Sequence, residues 1–272
     1  MIVKKGGTYL KIRTDYDAES YELSEQQKMI FKEISKNGDL CEINKNYIQK
    51  NNITEIIIPD SVKSIGRYTF TGCSSLTSIA IADSVTCIGY HAFAGCSGLT
   101  SIVIPDSVTY IDCCAFAGCS GLTSIAIPNS VTYIGASAFT DCSGLTSVTI
   151  KGFTFNNEHK KICKIMSDIS EAYYMLETKD FSVKIYTPLK NAIIIGQYLQ
   201  TGDEDTEVFI KKGCLRLFKW LIDEDNSEVI SKLIDTGKFA TKKNIDKLID
   251  YADEKEKTAV KDILTNFKQK II

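Results

Sequence analysis

The side chains best placed to do chemistry in this chain are its thiols and imidazoles, 10 Cys and 2 His in 272 residues. Cys163 follows His159 by four positions, which puts a nucleophile and a base on one helical face. A working pair needs a third group to orient the base, and none is identifiable beside them. Only His91 and His159 exist, and no two CxxC hooks converge with them, so no metal site is expected. GxxxxGK(S/T), HExxH and GxSxG are all missing. The sequence therefore names no catalytic, cofactor-binding or metal-ligating residue, and it predicts a protein that is not an enzyme and carries no cofactor.

The cysteines have a pattern of another kind. Cys73, Cys96, Cys119 and Cys142 recur every 23 residues, within a longer phrase: Leu76-Thr77-Ser78-Ile79, Leu99-Thr100-Ser101-Ile102, Leu122-Thr123-Ser124-Ile125, Leu145-Thr146-Ser147-Val148. A period of that size means stacked units, because one unit cannot bury its apolar side without like neighbours. Equivalent residues then lie about 5 Å apart along the stack. Disulfides between rungs are geometrically conceivable, and a file of small buried thiols is the simpler expectation. Adjacent Cys113 and Cys114 depart from the repeat and should be the more accessible thiols.

Within one unit, apolar residues such as Ile102 and Ile104 alternate with outward ones and predict a short strand. Stacked, these strands make a parallel sheet. Pro59, Pro105 and Pro128 end the strand. Asp83-Ser84, Asp106-Ser107 and Asn129-Ser130 follow, and their side chains are expected to bond local backbone at a bend. Val62, Val85, Val108 and Val131 begin the return; Ile65, Ile88, Ile111 and Ile134 point inward, and Gly66, Gly89 and Gly135 mark a second bend where Asp112 breaks the series. Phe70, Phe93, Phe116 and Phe139 should stack into a spine.

The strand pattern Leu76-x-x-Ile79-x-Ile81, with the later Ile-Gly, Ala-Phe and Gly-Cys-Ser segments, resembles the BspA-like (Treponema pallidum type) leucine-rich repeats across residues 53–150. Ser84, Ser107 and Ser130 stand where ordinary leucine-rich repeats carry Asn or Cys. The resemblance implies a curved solenoid used for protein binding, with relatives often acting as adhesins on microbial surfaces.

The fold class expected is α+β: a leucine-rich-repeat solenoid with a short parallel sheet, a small N-terminal α/β cap and an all-helical C-terminal region. Residues 1–52 form the cap. Gly6-Gly7 between Ile2-Val3-Lys4-Lys5 and Thr8-Tyr9-Leu10-Lys11-Ile12 predicts a hairpin. Ser24 three before Gln27, followed by Met29, Ile30, Phe31 and Ile34, predicts a helix over 24–36. Residues 151–186 are a second cap or linker, with one more strand near Phe153 and a helix carrying Ile162, Ile165, Met166, Ile169, Tyr173, Tyr174 and Leu176. Residues 187–272 are helical. Thr187-Pro188-Leu189-Lys190-Asn191-Ala192 resembles the opening of an ankyrin repeat, and Leu221, Val229 and Leu233 precede Ala252, Val260 and Leu264 by 31 residues, so a degenerate ankyrin-like region is expected.

Two faces could recognise a partner. Ser78, Ser101, Ser124 and Ser147 form an outward row on the strand side, small and nearly uncharged. Arg67, Tyr68, Tyr90, His91, Tyr110 and Tyr133 lie on the return segment, and aromatic rings with polar tips favour interfaces. With 32 Lys plus Arg against 34 Asp plus Glu, the net charge is -2, giving no global attraction to nucleic acid. No run of about 18 apolar residues suggests a transmembrane span, and the amino terminus has no signal-peptide h-region, so a cytoplasmic location is expected. The function expected is a protein-protein interaction scaffold whose partner is a protein rather than a small molecule; the alternative is a cell-surface adhesin for host protein or carbohydrate.

Overall fold

A computed structural model describes residues 2–5, 8–11, 31–34, 39–43, 45–156 and 159–271. The chain divides into two compact units, Met1–Lys190 and Asn191–Ile272.

The first unit is the solenoid with its flanking elements. Strands β1 (Ile2–Lys5) and β2 (Thr8–Lys11) pair antiparallel. Strands β3 (Phe31–Ile34) and β4 (Asp39–Ile43) also pair antiparallel, and a short helix α1 (Lys45–Lys50) follows. Each subsequent coil then contributes a strand and a two-residue return strand: β5 (Ile53–Ile57) with β6 (Ser64–Ile65), β7 (Ser78–Ala80) with β8 (Cys87–Ile88), β9 (Ser101–Val103) with β10 (Tyr110–Ile111), and β11 (Ser124–Ile127) with β12 (Tyr133–Ile134). Strand β13 (Ser147–Ile150), hairpin partner β14 (Phe153–Asn156) and helix α2 (His159–Thr178) close the unit.

The strand face is a parallel stack in which Glu55, Ser78 and Ser101 lie side by side, as do Ile57, Ala80 and Val103. Strand β1 joins its first edge antiparallel to β5. Strands β11 and β13 continue it in the same register, Ser124 beside Ser147. The ladder is interrupted between β9 and β11, where the Thr123 N–H to Thr100 carbonyl bond stretches to 3.4 Å against 2.7–3.0 Å at the neighbouring rungs.

The return segments make a second parallel sheet, in the order β12-β10-β8-β6-β4 with β3 antiparallel at the end. Its strands are too short for alternation to announce them. Leu40 sits beside Ile65 and accepts from Gly66 N–H, as Ile65 accepts from Gly89 N–H, so this sheet begins before Ile53.

The helix expected over 24–36 is corrected here: Phe31–Ile34 is strand β3, and residues 24–30 and 35–36 lie outside the described residues. The register of β3 on β4 shifts on both sides of Glu33, so Phe31 and Ile34 face Ile43 and Leu40 respectively. A register shift of this kind breaks the two-residue alternation of the strand, so the spacing of the apolar residues imitates a helix.

The core follows the repeat. Phe70, Phe93, Phe116 and Phe139 are fully buried or nearly so and stack in sequence order, with centroids 5.2 Å apart and planes within 7° of parallel. The cysteine file is buried, and its four members are thiols rather than disulfides. The Sγ of Cys96, Cys119 and Cys142 donates to the carbonyls of Phe70, Phe93 and Phe116 at 3.1–3.2 Å, one coil earlier. Burial drives the Cys119 and Cys142 thiols away from ionisation, Cys142 to about 12. Ser84, Ser107 and Ser130 do not bond the local turn; each hydroxyl donates to the carbonyl of Val62, Val85 or Val108 in the preceding coil. Thr77, Thr100, Thr123 and Thr146 bond the rung before them in the same way.

Two glycine positions have structural causes. Gly72, Gly95 and Gly118 hold φ near +72°, a conformation that only glycine adopts without strain; the last copy puts Asp141 there at φ +56°. At Gly98, Gly121 and Gly144, an added Cβ would come within 2.4 Å of a backbone carbonyl of the previous coil.

Strand β14 runs antiparallel to β13 through a turn at Lys151 and Gly152, with φ of +51° and +81°, so the parallel stack ends on a reversed strand. Helix α2 lies against β12 and β14 with Ile162, Ile165, Ile169 and Tyr173 buried; Tyr174, expected on the same stripe, is exposed.

The second unit continues helix α3 (Thr187–Thr201) into α4 (Glu204–Asp223), α5 (Ser227–Asp235), α6 (Ile245–Glu254) and α7 (Thr258–Ile271). Asp203 and Asn226 cap α4 and α5 by accepting from Thr206 and Val229 N–H. The 31-residue spacing is visible in three dimensions. Asp225 and Glu256 both turn through positive φ, and Asn226 and Lys257 N–H donate to Leu221 and Ala252 carbonyls. Each of the two helical pairs buries its equivalent positions: Leu221, Val229 and Leu233 in one, Ala252, Val260 and Leu264 in the other.

Candidate interaction surfaces

Because the coils are nearly identical, a residue's place in the repeat determines its row. On the strand face, Ser101 and Ser124 are exposed, while Ser78 and Ser147 are half-buried. Ser147 is held by the closing hairpin, its Oγ donating to Asn156 Oδ1 at 2.6 Å. Beside the serines, Val103 projects with 74% of its surface exposed between Ala80 and Ala126.

The six return-side residues separate into two groups. Tyr110 and Tyr133 are directly opposed on β10 and β12, and their rings stack at 4.5 Å and 7°. Arg67, Tyr68, Tyr90 and His91 follow the return strands, at the bend. Tyr68 meets Tyr90 edge-on at 5.3 Å and stacks on His91 at 5.2 Å, and the Arg67 guanidinium lies over the Tyr90 ring at 5.2 Å. Tyr68 and His91, with Cys114 and Ser137 in later coils, hold φ between +52° and +59°, which aims four successive side chains from the same bend.

Asp112, Cys87 and Cys113-Cys114 complete this face and were not assigned to it from sequence. The signal was the interrupted glycine series: Asp112 replaces Gly66, Gly89 and Gly135. One oxygen of its carboxylate accepts from Cys113 N–H at 2.7 Å. Burial raises the Tyr110 hydroxyl to about 12, with the negative charge of Asp112 and the Tyr133 hydroxyl adding to it. Cys87 is likewise raised, first by burial and then by Asp112, and Cys114 first by burial and then by Cys113 and Asp112. A reactive thiol needs the opposite influence, so these cysteines are poor nucleophiles near neutral pH. The side chains of His159 and Cys163 lie outside the described residues. Among the described residues, no group of three His, Cys, Asp or Glu is placed to hold a metal ion, and no helix is long and apolar enough to cross a membrane.

No curated protein matches the chain. Among solved structures, it is similar to a leucine-rich repeat protein from Bacteroides ovatus (38% identity, TM-score 0.36), covering 41% of this chain and 29% of that one. The pneumococcal vaccine antigen PcpA matches at 25% identity and TM-score 0.39, over 42% of this chain and 28% of that one. The leucine-rich repeat protein of T. pallidum matches at 26% and 0.34, over 50% of this chain and 71% of that one. The chain thus spans less than a third of the first two. The family match ends at residue 164 and does not extend to the helical region expected to be ankyrin-like. From the coil that opens the return sheet to the first turns of α2, residues 41–164 match the BspA type leucine rich repeat region in six copies, and this part of the chain is a BspA-type leucine-rich repeat solenoid.

Proposed function

We propose that the chain is a non-enzymatic interaction scaffold that binds a protein partner through the return face of its solenoid. The observation that carries this reading is the pre-stacked set of aromatic side chains there. Tyr68 is 50% and Tyr110 37% exposed, yet both are held by neighbouring rings, so binding immobilises little that is not already fixed. Rigid Tyr and Arg side chains are those that dominate interface energies. The family match of the repeat supports a binding scaffold in general terms. The serine row on the strand face is the weaker candidate, since it lacks such anchors.

The test is affinity capture from the source cell, and from its surface, with wild-type protein and with Tyr110→Ala/Tyr133→Ala. Loss of specific partners from the variant, with an unchanged melting curve, is the expected result. Retention of every partner refutes the assignment of this face. A glycan array run in parallel separates the adhesin reading, which requires sugar binding or surface display.

A further inference from the structure

The helical unit Asn191–Ile272 sorts its cations into two kinds. Among the described residues, Lys211, Lys232, Lys238, Lys257, Lys261 and Lys268 each pair with a carboxylate, and Lys219 and Lys255 lie over the Tyr251 ring. Lys212, Arg216, Lys242, Lys243 and Lys247 have neither kind of partner there, and all are exposed. A lone surface lysine is ordinarily just solvated, but these are gathered in one place.

The 31-residue repeat gathers them: Lys212 is equivalent to Lys243, Arg216 to Lys247 and Lys211 to Lys242. Helix α4 packs against α6, and Asn244 Nδ2 meets Cys214 Sγ at 3.5 Å, which sets residues 242–247 beside residues 211–216. Neighbouring helices lie about 8–10 Å apart, so the equivalent cations form two adjoining columns. Lys212 and Arg216 share the side of α4 away from buried Ile210, Leu217 and Leu221. Lys247 is exposed while Ile245 and Leu248 of the same turn are buried. The carboxylates inside the patch are already engaged, Glu207 by Lys211 and Lys238, and Asp246 by Lys268. Asp205, before Val208 on α4, and Asp250, one turn after Lys247 on α6, mark its limits.

A second observation separates the anions that could cover this patch. Val208, one turn before Lys212 on the same face of α4, is 65% exposed. An apolar side chain among lysines gains nothing from a nucleic-acid backbone. At a bilayer surface it enters the boundary between headgroups and acyl chains while the lysines meet anionic headgroups. All but Arg216 of the unpartnered cations are lysines, point charges that suit a diffuse layer of headgroups better than forked recognition of single phosphates.

We propose that the outer face of α4 and α6 binds the surface of an anionic lipid bilayer, with Lys212, Arg216, Lys242, Lys243 and Lys247 against the headgroups and Val208 inserted among them. The proposal rests on the helical unit alone and stands apart from the return face of the solenoid.

The experiment is co-sedimentation of the full chain with vesicles at about 0.1 M salt, where the screening length is about 10 Å. Phosphatidylcholine vesicles containing one-third phosphatidylserine should retain the protein, and pure phosphatidylcholine should not. Each cation near such a surface contributes about fivefold in partitioning, so Lys243→Gln/Lys247→Gln should weaken retention at least about tenfold. Lys212→Gln/Arg216→Gln, on the other helix, should do the same, so the test survives misfolding of either variant. Lys232→Gln/Lys261→Gln removes the same charge from paired sites and should leave retention unchanged. Val208→Ser should weaken it about threefold or more, from the lost apolar insertion. No retention, equal retention by the two kinds of vesicle, an equal loss in Lys232→Gln/Lys261→Gln, or indifference to Val208→Ser overturns the proposal. A single-stranded RNA oligonucleotide that binds where the vesicles do not gives the patch to nucleic acid, which overturns it as well.

Discussion

Replacing Phe116 with Ala tests the physical basis of the solenoid, the continuous ring stack. Phe116 has no exposed surface and two parallel Phe neighbours at 5.2 Å. Truncating a buried Phe costs about 3–5 kcal/mol, and each aromatic pair contributes about 0.5–1.5 kcal/mol beyond burial. Phe70 has one Phe stacking partner, Phe93. Phe116→Ala should therefore destabilise by about 1 kcal/mol more than Phe70→Ala. Phe93 and Phe116 share a stack, so removing both should cost less than the sum of the single losses, again by about 1 kcal/mol. Urea unfolding followed by far-ultraviolet circular dichroism supplies the stabilities of wild type, the three single variants and the double variant. A Phe116→Ala cost under about 2 kcal/mol, or strict additivity of the pair, would mean that the rings are separate hydrophobic plugs and that stacking does not tie coil to coil.

Gly121→Ala should destabilise by about 1–3 kcal/mol, because its Cβ would fall 2.4 Å from the Ser97 carbonyl and 3.2 Å from that of Leu99, both backbone atoms; a melting temperature equal to wild type contradicts the close approach. Lys151 is only 6% exposed, and its ammonium bonds the Asn129 carbonyl at 3.0 Å; burial lowers it from 10.5 to about 8. The unfolded chain then holds the proton that the folded chain has released, so this group's contribution to stability rises between pH 8 and 10.5. Relative to Lys151→Met, wild type should gain on the order of 1–2 kcal/mol across that window, allowing for water that still reaches the ammonium; parallel pH profiles of the two proteins refute it.

What was legible in the sequence was whatever the period repeats. The Phe spine, the thiol file and the strand rows follow from residues recurring every 23 positions. Bonds between coils were not legible, because the acceptor of a serine or threonine hydroxyl is a backbone carbonyl 22 or 23 residues away, and the sequence offers a nearer turn for the same side chain. The return sheet was hidden by strands of two residues, and β3 by its bulge. Among site residues, the tyrosines were visible by type, but their division into a β10–β12 pair and a bend cluster depends on register. Asp112 was visible only as a break in a glycine series; its relation to Tyr110 and Cys87 required the stack.

The bonds between coils run in two directions at two places. The hydroxyls of the serine and threonine rows and the thiols of the cysteine file donate backward, to carbonyls earlier in the chain, whereas at the bend Thr71 Oγ1 and the backbone N–H groups of Phe70, Gly72, Phe116 and Gly118 donate forward, to the coil that follows. A growing polypeptide leaving the ribosome therefore closes the first set as each coil emerges and the second only when the next coil arrives. Shortening the solenoid from its far end strands bend N–H groups, and shortening it from the start strips hydroxyls and thiols of their acceptors, so each end loses a different kind of donor.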